Sequence, residues 1–327
     1  MLSSLIKLSG KKLLLPLYHA VSDVDLKHIK NLYSIRNTKQ FVQDIEFILK
    51  YFHPIDVETL LDSIENKKEI TKNSVLFTFD DGLKEAHEII APILKQKGVS
   101  AVFFVNSDFV DNKNMFYRFK ASLLVEKIKS LKLNENTILE ISAKFIEKPK
   151  TENEICRFIL QIEYHNKFLL DEIAKMLNFS FDEFIEDNQP YLTTAQIRYL
   201  IDQGFYVGAH SIDHPEYIKI PYDEQLKQTL ESIHWIKSNF KQKHNLFAFP
   251  FTDYRISGKF FNTIYASEKP LVDLSFGCAG LKDELYPKHL QRLPIEKSKQ
   301  LAKQIIRNEY LAYIGKKLIG KNAIKRS

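Results

Sequence analysis

The sequence predicts an α/β fold built on a parallel sheet, and three observations support this prediction. Short apolar runs at 75–79, 101–105 and 205–209 have the length and composition of buried strands. Residues 83–97, between the first two runs, repeat apolar side chains at helical spacing. The order strand, helix, strand requires a crossover, which is right-handed and makes the two strands parallel. A chain of 327 residues has room for one large barrel-like domain or two ordinary ones.

The first half of the chain contains further local signals. Residues 13–17 are predicted to form the first strand. Thr38 could cap the helix that follows, and a shorter helix is expected at 57–64. The helix at 83–97 has a basic last turn and is followed by Gly98, as is typical of a helix C-terminus.

The second half repeats the unit of helix and strand. Thr193 and Gln196 form a capping box that opens a helix ending at Gly204, directly before the run 205–209. The remaining predicted elements are a helix at 221–240 and strands at 246–249, 271–276 and 290–295.

Residues 111–188 are predicted to form a helical insertion, because they are dense in Lys, Glu, Phe and Ile at helical spacing. In a barrel such an insertion would occupy one loop at the rim and could shape the substrate entrance. A dimerisation surface is an equally open interpretation. We therefore expect a barrel domain over 1–297, interrupted by the insertion, and a basic helix or tail over 298–327.

The composition is that of a soluble globular protein. Only ten glycines and eleven prolines are present, so the sequence does not predict disorder. Cys156 and Cys278 lie far apart without a CxxC spacing, which argues against a disulfide scaffold and a thiolate metal site. The apolar stretches near the N-terminus are too short for a secretory signal or a membrane span, which predicts a cytoplasmic protein.

The C-terminal tail carries the excess of positive charge in a chain of formal net charge +6. It has one acid, Glu309, and its basic residues are Lys299, Lys303, Arg307, Lys316, Lys317, Lys321, Lys325 and Arg326. An apolar stripe of helical spacing is formed by Leu301, Ile305, Ile306, Leu311, Ile314 and Leu318. The tail could pack on the domain with a solvated basic face, or contact an anionic membrane at its inner face. No nucleic-acid partner is expected, because one stripe without a reading motif is weak evidence.

Two adjacent carboxylates, Asp80 and Asp81, follow the run 75–79 and precede Gly82. Side chains at the C-terminal end of a parallel strand project into the pocket formed by the following loops. Adjacent strand residues normally face opposite sides, but the turn that Gly82 permits could bring both carboxylates into one pocket. An ordinary Asp-Asp-Gly turn and the magnesium site of a phosphotransfer protein are the other open interpretations.

His210 and His214 follow the run 205–209 at a spacing of four residues. Two imidazoles and one carboxylate suit zinc or a similar transition metal, whereas magnesium prefers oxygen ligands. A surface loop followed by Pro215 could also carry both histidines without a catalytic role. Together the two motifs predict a divalent metal site, with Zn²⁺ as the expected ion, next to a carboxylate base.

Residues 78–82 (Thr-Phe-Asp-Asp-Gly) and 210–214 (His-Ser-Ile-Asp-His) resemble the first two motifs of the polysaccharide deacetylase family, the NodB-homology carbohydrate esterases of family four. The resemblance extends to the order and character of the segments from Leu13 to about Glu296, but not to the insertion or the basic tail. It implies a distorted (β/α) barrel that removes an N- or O-acetyl group from a sugar in a metal-dependent reaction.

Carried over by position, the resemblance makes Asp80 the general base. The implied metal ligands are Asp81, His210 and His214. Ser211 would help to order the second motif. The third motif of the family resembles residues 247–251, in which the backbone N–H of Phe251, directly after Pro250, would stabilise the oxyanion.

The sequence departs from the family pattern in the third motif. The arginine that usually orients the catalytic aspartate is replaced by Ala248. Arg292, near the end of the last predicted strand, is the candidate for this support, because it could pair with Asp80 or Asp253. A rim salt bridge of little energetic value is the competing interpretation.

The proton donor is open, because the final Leu-x-x-His motif of the family is not clearly present. His289, before Leu290, and His19, at the end of the first strand, are the two named candidates, and another group or water is the open alternative. We predict a zinc-dependent deacetylase acting on an acetylated sugar of a polysaccharide, a lipid-linked glycan or a precursor, with N-acetyl favoured over O-acetyl. A catalytically silent barrel that binds a glycan or a partner protein is the alternative.

Overall fold

The structure, a computed structural model, describes residues 2–266, 270–296 and 300–326. The chain divides into two compact units. The first comprises 1–23, 35–111 and 191–327, and the second comprises 24–34 and 112–190.

The strands all lie in the first unit. Over the described residues they are β1 (Leu13–Leu14), β2 (Pro16–Tyr18), β3 (His53–Pro54), β4 (Ser74–Val75), β5 (Phe77–Phe79), β6 (Ala101–Val105), β7 (Tyr206–Ala209), β8 (Leu246–Ala248), β9 (Leu274–Gly277), β10 (His289–Gln291) and β11 (Leu293–Pro294).

The helices are distributed over both units. In chain order, within the described residues, the α-helices are α1 (Leu2–Ser9), α2 (Thr38–Leu49), α3 (Val57–Glu65), α4 (Ala91–Gln96), α5 (Tyr117–Ser130), α6 (Glu135–Ser142), α7 (Glu152–Ile159), α8 (Phe168–Met176), α9 (Phe181–Asn188), α10 (Thr194–Asp202), α11 (Tyr222–Asn239), α12 (Gly258–Tyr265) and α13 (Ala302–Leu318). Among them, none combines the length and the apolarity that a bilayer-crossing segment needs.

Eight parallel strands form a nearly closed barrel in the order β10-β9-β8-β7-β6-β5-β2-β11. The two edge strands are separated in sequence by Arg292 alone. On one side of that residue, β10 pairs with β9, and the Arg292 N–H donates to Gly277 O at 3.1 Å. On the other side β11 pairs with β2, where Leu293 N–H donates to Leu15 O at 2.8 Å. One continuous segment therefore closes the barrel by changing its partner at Arg292.

Several predicted strands are divided in two. The predicted strand 13–17 becomes β1 and β2, 75–79 becomes β4 and β5, and 290–295 becomes β10 and β11. The first halves, β1 and β4, join β3 in a separate three-stranded parallel sheet, while β2 and β5 enter the barrel. Every residue of β6 is buried, because the barrel interior covers one face and packed helices cover the other.

Two predicted helices begin differently from the sequence-based expectation. The helix α2 is capped by Asn37 rather than by Thr38, and Gln40 completes the capping box. The predicted helix 83–97 is a π-helical turn, Ala86–Ile90, that leads into α4. Pro92 lies in the first turn of α4, where it has no N–H to supply to an uninterrupted helix.

The tail helix α13 packs inside the first unit, against α1 and α2. Its buried residues are Ala302, Ile306, Tyr310 and Tyr313. The predicted stripe was therefore wrong, since Leu301, Leu311 and Leu318 are exposed. Two tyrosines give the helix its orientation: Tyr310 donates to Lys11 O at 2.9 Å and Tyr313 donates to Asp283 Oδ1 at 3.0 Å.

The second unit is helical, as predicted for the insertion. It contains α5 to α9, and α5 packs against α7 and α8. The short segment 24–34 also belongs to it, which the sequence did not predict. Asn31 attaches that segment to α5 by donating to Ser122 Oγ at 3.2 Å and to Glu126 Oε1 at 3.0 Å.

Candidate active site

The turn after β5 places Asp80 and Asp81 at the end of the barrel strand. Asp80 N–H donates to Tyr18 O at 3.0 Å and so continues the pairing of β5 with β2. Asp81 and Gly82 then adopt left-handed backbone conformations, with φ of 71° and 62°. A Cβ on Gly82 would lie only 2.9 Å from Val105 Cγ1. This position therefore requires glycine both for its backbone conformation and for lack of space. The turn ends the alternation of the strand, and both carboxylates are buried in the same region.

Asp81, His210 and His214 come together in one buried cluster. His214 Nε2 lies 3.2 Å from Asp81 Oδ1, and His210 Nε2 lies 3.5 Å from the same oxygen. Neighbouring ligands of a tetrahedral zinc ion, at bond lengths of about 2.0–2.2 Å, lie roughly 3.3–3.6 Å apart. These two separations and the chemistry of the three residues therefore fit one zinc-sized ion.

The tautomer of His210 follows from its partner. His210 Nδ1 lies 2.9 Å from Ala248 O, and a carbonyl can only accept, so Nδ1 carries the hydrogen. Nε2 is then left as the nitrogen that faces the cluster, the arrangement that orients metal-binding histidines. Burial lowers the pKa of His210 to about 4, so its imidazole is neutral at physiological pH.

The loop that carries the histidines is held in an uncommon backbone conformation. Ser211 and His214 have φ of 68° and 62°, and Ser211 Oγ accepts the N–H of His214 at 3.0 Å. Gln228, on α11, accepts the N–H of Ile212 at 2.9 Å and donates to Asp213 Oδ1 at 2.8 Å. A left-handed backbone conformation is strained for residues other than glycine and persists only where the surrounding structure enforces it. This loop holds two such residues, Ser211 and His214.

Arg292 binds Asp80 through both of its terminal nitrogens. Nη1 donates to Oδ1 at 2.6 Å and Nη2 donates to Oδ2 at 2.8 Å, and both side chains are buried. Arg292 Nε also donates to Gly277 O at 3.0 Å, which fixes the plane of the guanidinium. Burial alone would raise the pKa of Asp80, but the charge and hydrogen bonds of Arg292, together with His210 and His19, hold that pKa below its usual range. Of the two partners considered for Arg292, the structure pairs it with Asp80.

Phe251 follows β8 and lies beside the cluster. Its ring centroid is 4.7 Å from that of His214, and its backbone is left-handed with φ of 55°. Pro250, directly before it, is buried, whereas the Phe251 side chain is 39% exposed. The partly exposed Phe251 places an apolar surface next to His214.

His289 lies in a buried network of its own. Its Nδ1 is 2.6 Å from Ser275 Oγ and its Nε2 is 3.0 Å from Asp253 Oδ2, and the side chain has no exposed surface. Arg326 forms ion pairs with both Asp253 and Glu284 and lies over the ring of Phe261. Asp253, Glu284 and His289 also form a group close enough to hold a metal, but the Arg326 guanidinium already supplies their positive charge. The burial of His289 disfavours it as a proton donor to a substrate.

His19 is the more accessible of the two histidines proposed as proton donors, because its side chain is 26% exposed. Glu296 Oε2 lies 3.0 Å from His19 Nδ1 and accepts the backbone N–H of His19 at 2.9 Å. Burial would lower the pKa of His19, but the Glu296 carboxylate and the nearby Asp81 and Asp80 raise it to about 9. His19 is therefore positively charged at neutral pH.

Comparison with known proteins agrees with this architecture. A profile of the family described as polysaccharide deacetylase matches residues 67–156 and 163–257, more than half of the chain. The chain belongs to the polysaccharide deacetylase family. It is accordingly a carbohydrate deacetylase, a hydrolase of a family that acts on acetylated glycans. A search of the curated proteins found no match.

Three solved structures share the fold at low sequence identity. The Streptococcus pyogenes deacetylase PplD in complex with acetate is 13% identical, with 90% of this chain and 96% of that chain covered and a TM-score of 0.56. IcaB from Ammonifex degensii is 14% identical over 91% and 97% of the chains, with a TM-score of 0.55. A de-N-acetylase from Aggregatibacter actinomycetemcomitans is 13% identical over 91% and 99%, with a TM-score of 0.53. The predicted fold class, a distorted (β/α) barrel with a helical insertion, is confirmed.

The deacetylase profile covers only part of the site. Asp80, the three clustered donor residues and Phe251 lie inside the matched ranges, whereas His19, His289 and Arg292 lie outside them. The sequence did not indicate three further contributors: the carbonyl of Ala248, the carboxylate of Glu296 and the guanidinium of Arg326. A signal exists for Glu296 alone, since it is an acid directly after the predicted strand 290–295. The other two act through a backbone atom and through a contact between distant parts of the chain.

Proposed function

We propose that this protein is a zinc-dependent deacetylase that removes the N-acetyl group of a sugar unit in a polysaccharide or a lipid-linked glycan. The observation that carries the proposal is the cluster of Asp81, His210 and His214, with Asp80 in a two-point pair with Arg292 beside it. His210 Nε2 lies 3.7 Å from Asp80 Oδ2, so base and donor cluster border one reaction centre.

The residues of the chain have separate tasks in this reaction. A zinc ion held by the cluster would supply a Lewis acid and lower the pKa of water to about 7. Asp80, kept ionised by Arg292, accepts the proton of the attacking water. The backbone N–H of Phe251 donates to the oxyanion that develops on the acetyl carbonyl.

His19 is our choice for the proton donor. Amide cleavage requires protonation of the departing nitrogen, because an amide anion is a very poor leaving group. His19 is cationic at neutral pH and partly exposed, which suits this task, and Glu296 orients its ring. An ester releases an alkoxide that needs less assistance, so a strong dependence on His19 supports N-acetyl over O-acetyl as the substrate.

The test measures metal binding and acetate release separately. The purified chain is stripped with EDTA and reloaded with Zn²⁺, and acetate is assayed from N-acetylated oligosaccharides and from an O-acetylated polysaccharide. We expect zinc-dependent release from the N-acetylated panel, loss of release in Asp80→Asn with zinc retained, and loss of zinc in His210→Ala. Asp202→Asn, which changes an exposed carboxylate on α10 outside the site, is the matched control.

Two results would contradict the proposal. Zinc binding without acetate release from any substrate would favour a silent barrel that binds a glycan or a partner. Magnesium dependence together with indifference to His210→Ala would instead favour a phosphotransfer site built on Asp80 and Asp81.

A further inference from the structure

We propose that the joined C-terminal ends of α1 and α13 form a docking surface for an anionic lipid bilayer. This surface is separate from the reaction centre, and its test does not depend on the proposed function. The surface is defined by Lys7, Leu8, Lys316, Lys317, Leu318, Ile319 and Lys321.

A chain of contacts makes this surface continuous. Lys317 Nζ donates to Ser9 O at 3.2 Å, which joins the end of α13 to the end of α1. Lys321 N–H donates to Lys316 O at 2.8 Å, so the chain folds back immediately after the helix. Lys282 Nζ donates to Lys321 O at 2.9 Å and fixes this turn to the loop before β10. The two helix ends and the turn are therefore one ordered patch.

Three large aliphatic side chains of the patch remain exposed. Leu8 is 67% exposed, Leu318 is 83% exposed and Ile319 is 64% exposed. Neither helix uses them to pack, because α1 buries Leu2 and Ile6, and α13 buries the face that contains Tyr310 and Tyr313. Their transfer from water into an acyl boundary is favourable at about 25 cal/mol per Å² of apolar area.

Four lysines lie within two residues of these aliphatic side chains in the sequence, and the nearby acids are already engaged. Asp283 is paired with Lys11 at 2.5 Å, and Glu309 accepts the N–H of Leu281 at 2.8 Å. Burial, and to a smaller extent the neighbouring Lys316, lower the pKa of Lys282. Each lysine close to an anionic leaflet contributes about 1 kcal/mol to binding.

A lipid surface fits this combination better than a nucleic acid does. Phosphate recognition uses the lysines but gains nothing from exposed leucine and isoleucine side chains, and the patch offers no aromatic ring on which a base could stack. In one leaflet, the exposed aliphatic side chains suit the acyl boundary and the neighbouring lysines suit the anionic headgroups.

Vesicle co-sedimentation of the full chain tests the proposal. We expect binding to phosphatidylcholine–phosphatidylglycerol vesicles, little binding to pure phosphatidylcholine, and weaker binding at high salt. Lys316→Gln with Lys321→Gln should weaken the partition coefficient about thirtyfold. Leu318→Ser with Ile319→Ser should weaken it about tenfold or more.

Matched controls come from exposed residues elsewhere on the chain. Leu139 and Ile146 are 67% and 94% exposed, and Leu139→Ser with Ile146→Ser should bind vesicles as the wild type does. Circular dichroism melting checks that every variant is folded. Absence of binding to anionic vesicles overturns the proposal, as does a loss that is equal in the patch variants and the controls. Binding to a DNA duplex or an acidic protein, without vesicle binding, also overturns it in favour of that partner.

Discussion

Replacement of Arg292 is the sharpest test of how the structure keeps the buried Asp80 ionised. Replacing it with methionine keeps much of the side-chain volume but removes the only guanidinium that binds Asp80 among the described residues. Because both partners are buried, the Asp80 carboxylate would lose the guanidinium charge that offsets its burial. Breaking a buried ion pair from one side typically costs about 3–5 kcal/mol. We expect Arg292→Met to lower the free energy of unfolding by that amount and the melting temperature by roughly 4–7 °C, since a chain of 327 residues has an unfolding entropy of about 0.7 kcal/mol/K.

A double-mutant cycle isolates this pair from other effects of the substitution. Unfolding in urea is measured in EDTA, so that no metal compensates Asp80, for the wild type, Arg292→Met, Asp80→Asn and the double variant. The double variant buries no unpaired charge, and we expect a coupling energy of about 2 kcal/mol or more. A coupling energy below about 0.5 kcal/mol would refute the assignment. The exposed Arg198, replaced by methionine, is the control for the loss of an arginine as such.

The pH dependence of the same variants has a defined sign. The folded-state pKa of Asp80 is depressed, so the wild type gains stability from Asp80 above the unfolded pKa of about 3.9 and loses it as pH falls through the folded value. In Arg292→Met the buried Asp80 carboxyl has a raised pKa, so its ionisation should destabilise the fold instead of stabilising it. The acid limb of kcat/KM should accordingly move to higher pH. An unchanged acid limb would show that Arg292 does not control the ionisation of Asp80.

Four further predictions concern other parts of the barrel. Gly82→Ala should destabilise the fold by about 2–4 kcal/mol in urea unfolding, because it adds left-handed strain and a contact with Val105; a neutral effect would contradict the geometry. Burial raises the pKa of Glu85 from 4.5 to about 7, so stability attributable to this carboxyl should fall as pH rises from 4.5 to 7, by about 3 kcal/mol, and Glu85→Gln should abolish that slope. His19→Gln should remove the basic limb of the pH–rate profile and should reduce kcat more than it changes KM. This limb should lie at or below pH 9, because the pKa of His19 is about 9 and a zinc ion bound nearby can only lower that pKa. Arg326→Ala removes the guanidinium that forms ion pairs with two buried carboxylates and should cost about 3–5 kcal/mol, with Arg326→Lys in between.

The sequence predicted those features that depend on local patterns. Apolar runs located the barrel strands, and the polar residues directly after two of them located the carboxylates and the histidines, because parallel strands deliver such residues to one edge. The spacing of His210 and His214 was sufficient to suggest two ligands on one ion. Hydrophobic periodicity also located the helical insertion.

Features that depend on distant contacts were not readable from local patterns. The tail helix has apolar residues on more than one face, so periodicity could not identify Tyr310 and Tyr313 as the buried side. The division of the strand 13–17 depends on where β4 leaves one sheet for the other, which no local signal records. The burial of Arg326 against Asp253 joins residues 73 positions apart, and a basic tail residue gives no hint of it.

The closure of the barrel at Arg292 also sets the order in which a nascent chain acquires its parts. The donor residues of the cluster have all been synthesised once the ribosome has passed His214, and Phe251 follows soon afterwards. The partner of Asp80 arrives only with the segment 289–294, which is also the segment that joins β9 to β2. A chain that ends before this segment can carry every donor of the cluster, yet Asp80 lacks the guanidinium of Arg292 and the barrel has an open edge. The same segment therefore completes the sheet and supplies the ion-pair partner of Asp80 during biosynthesis.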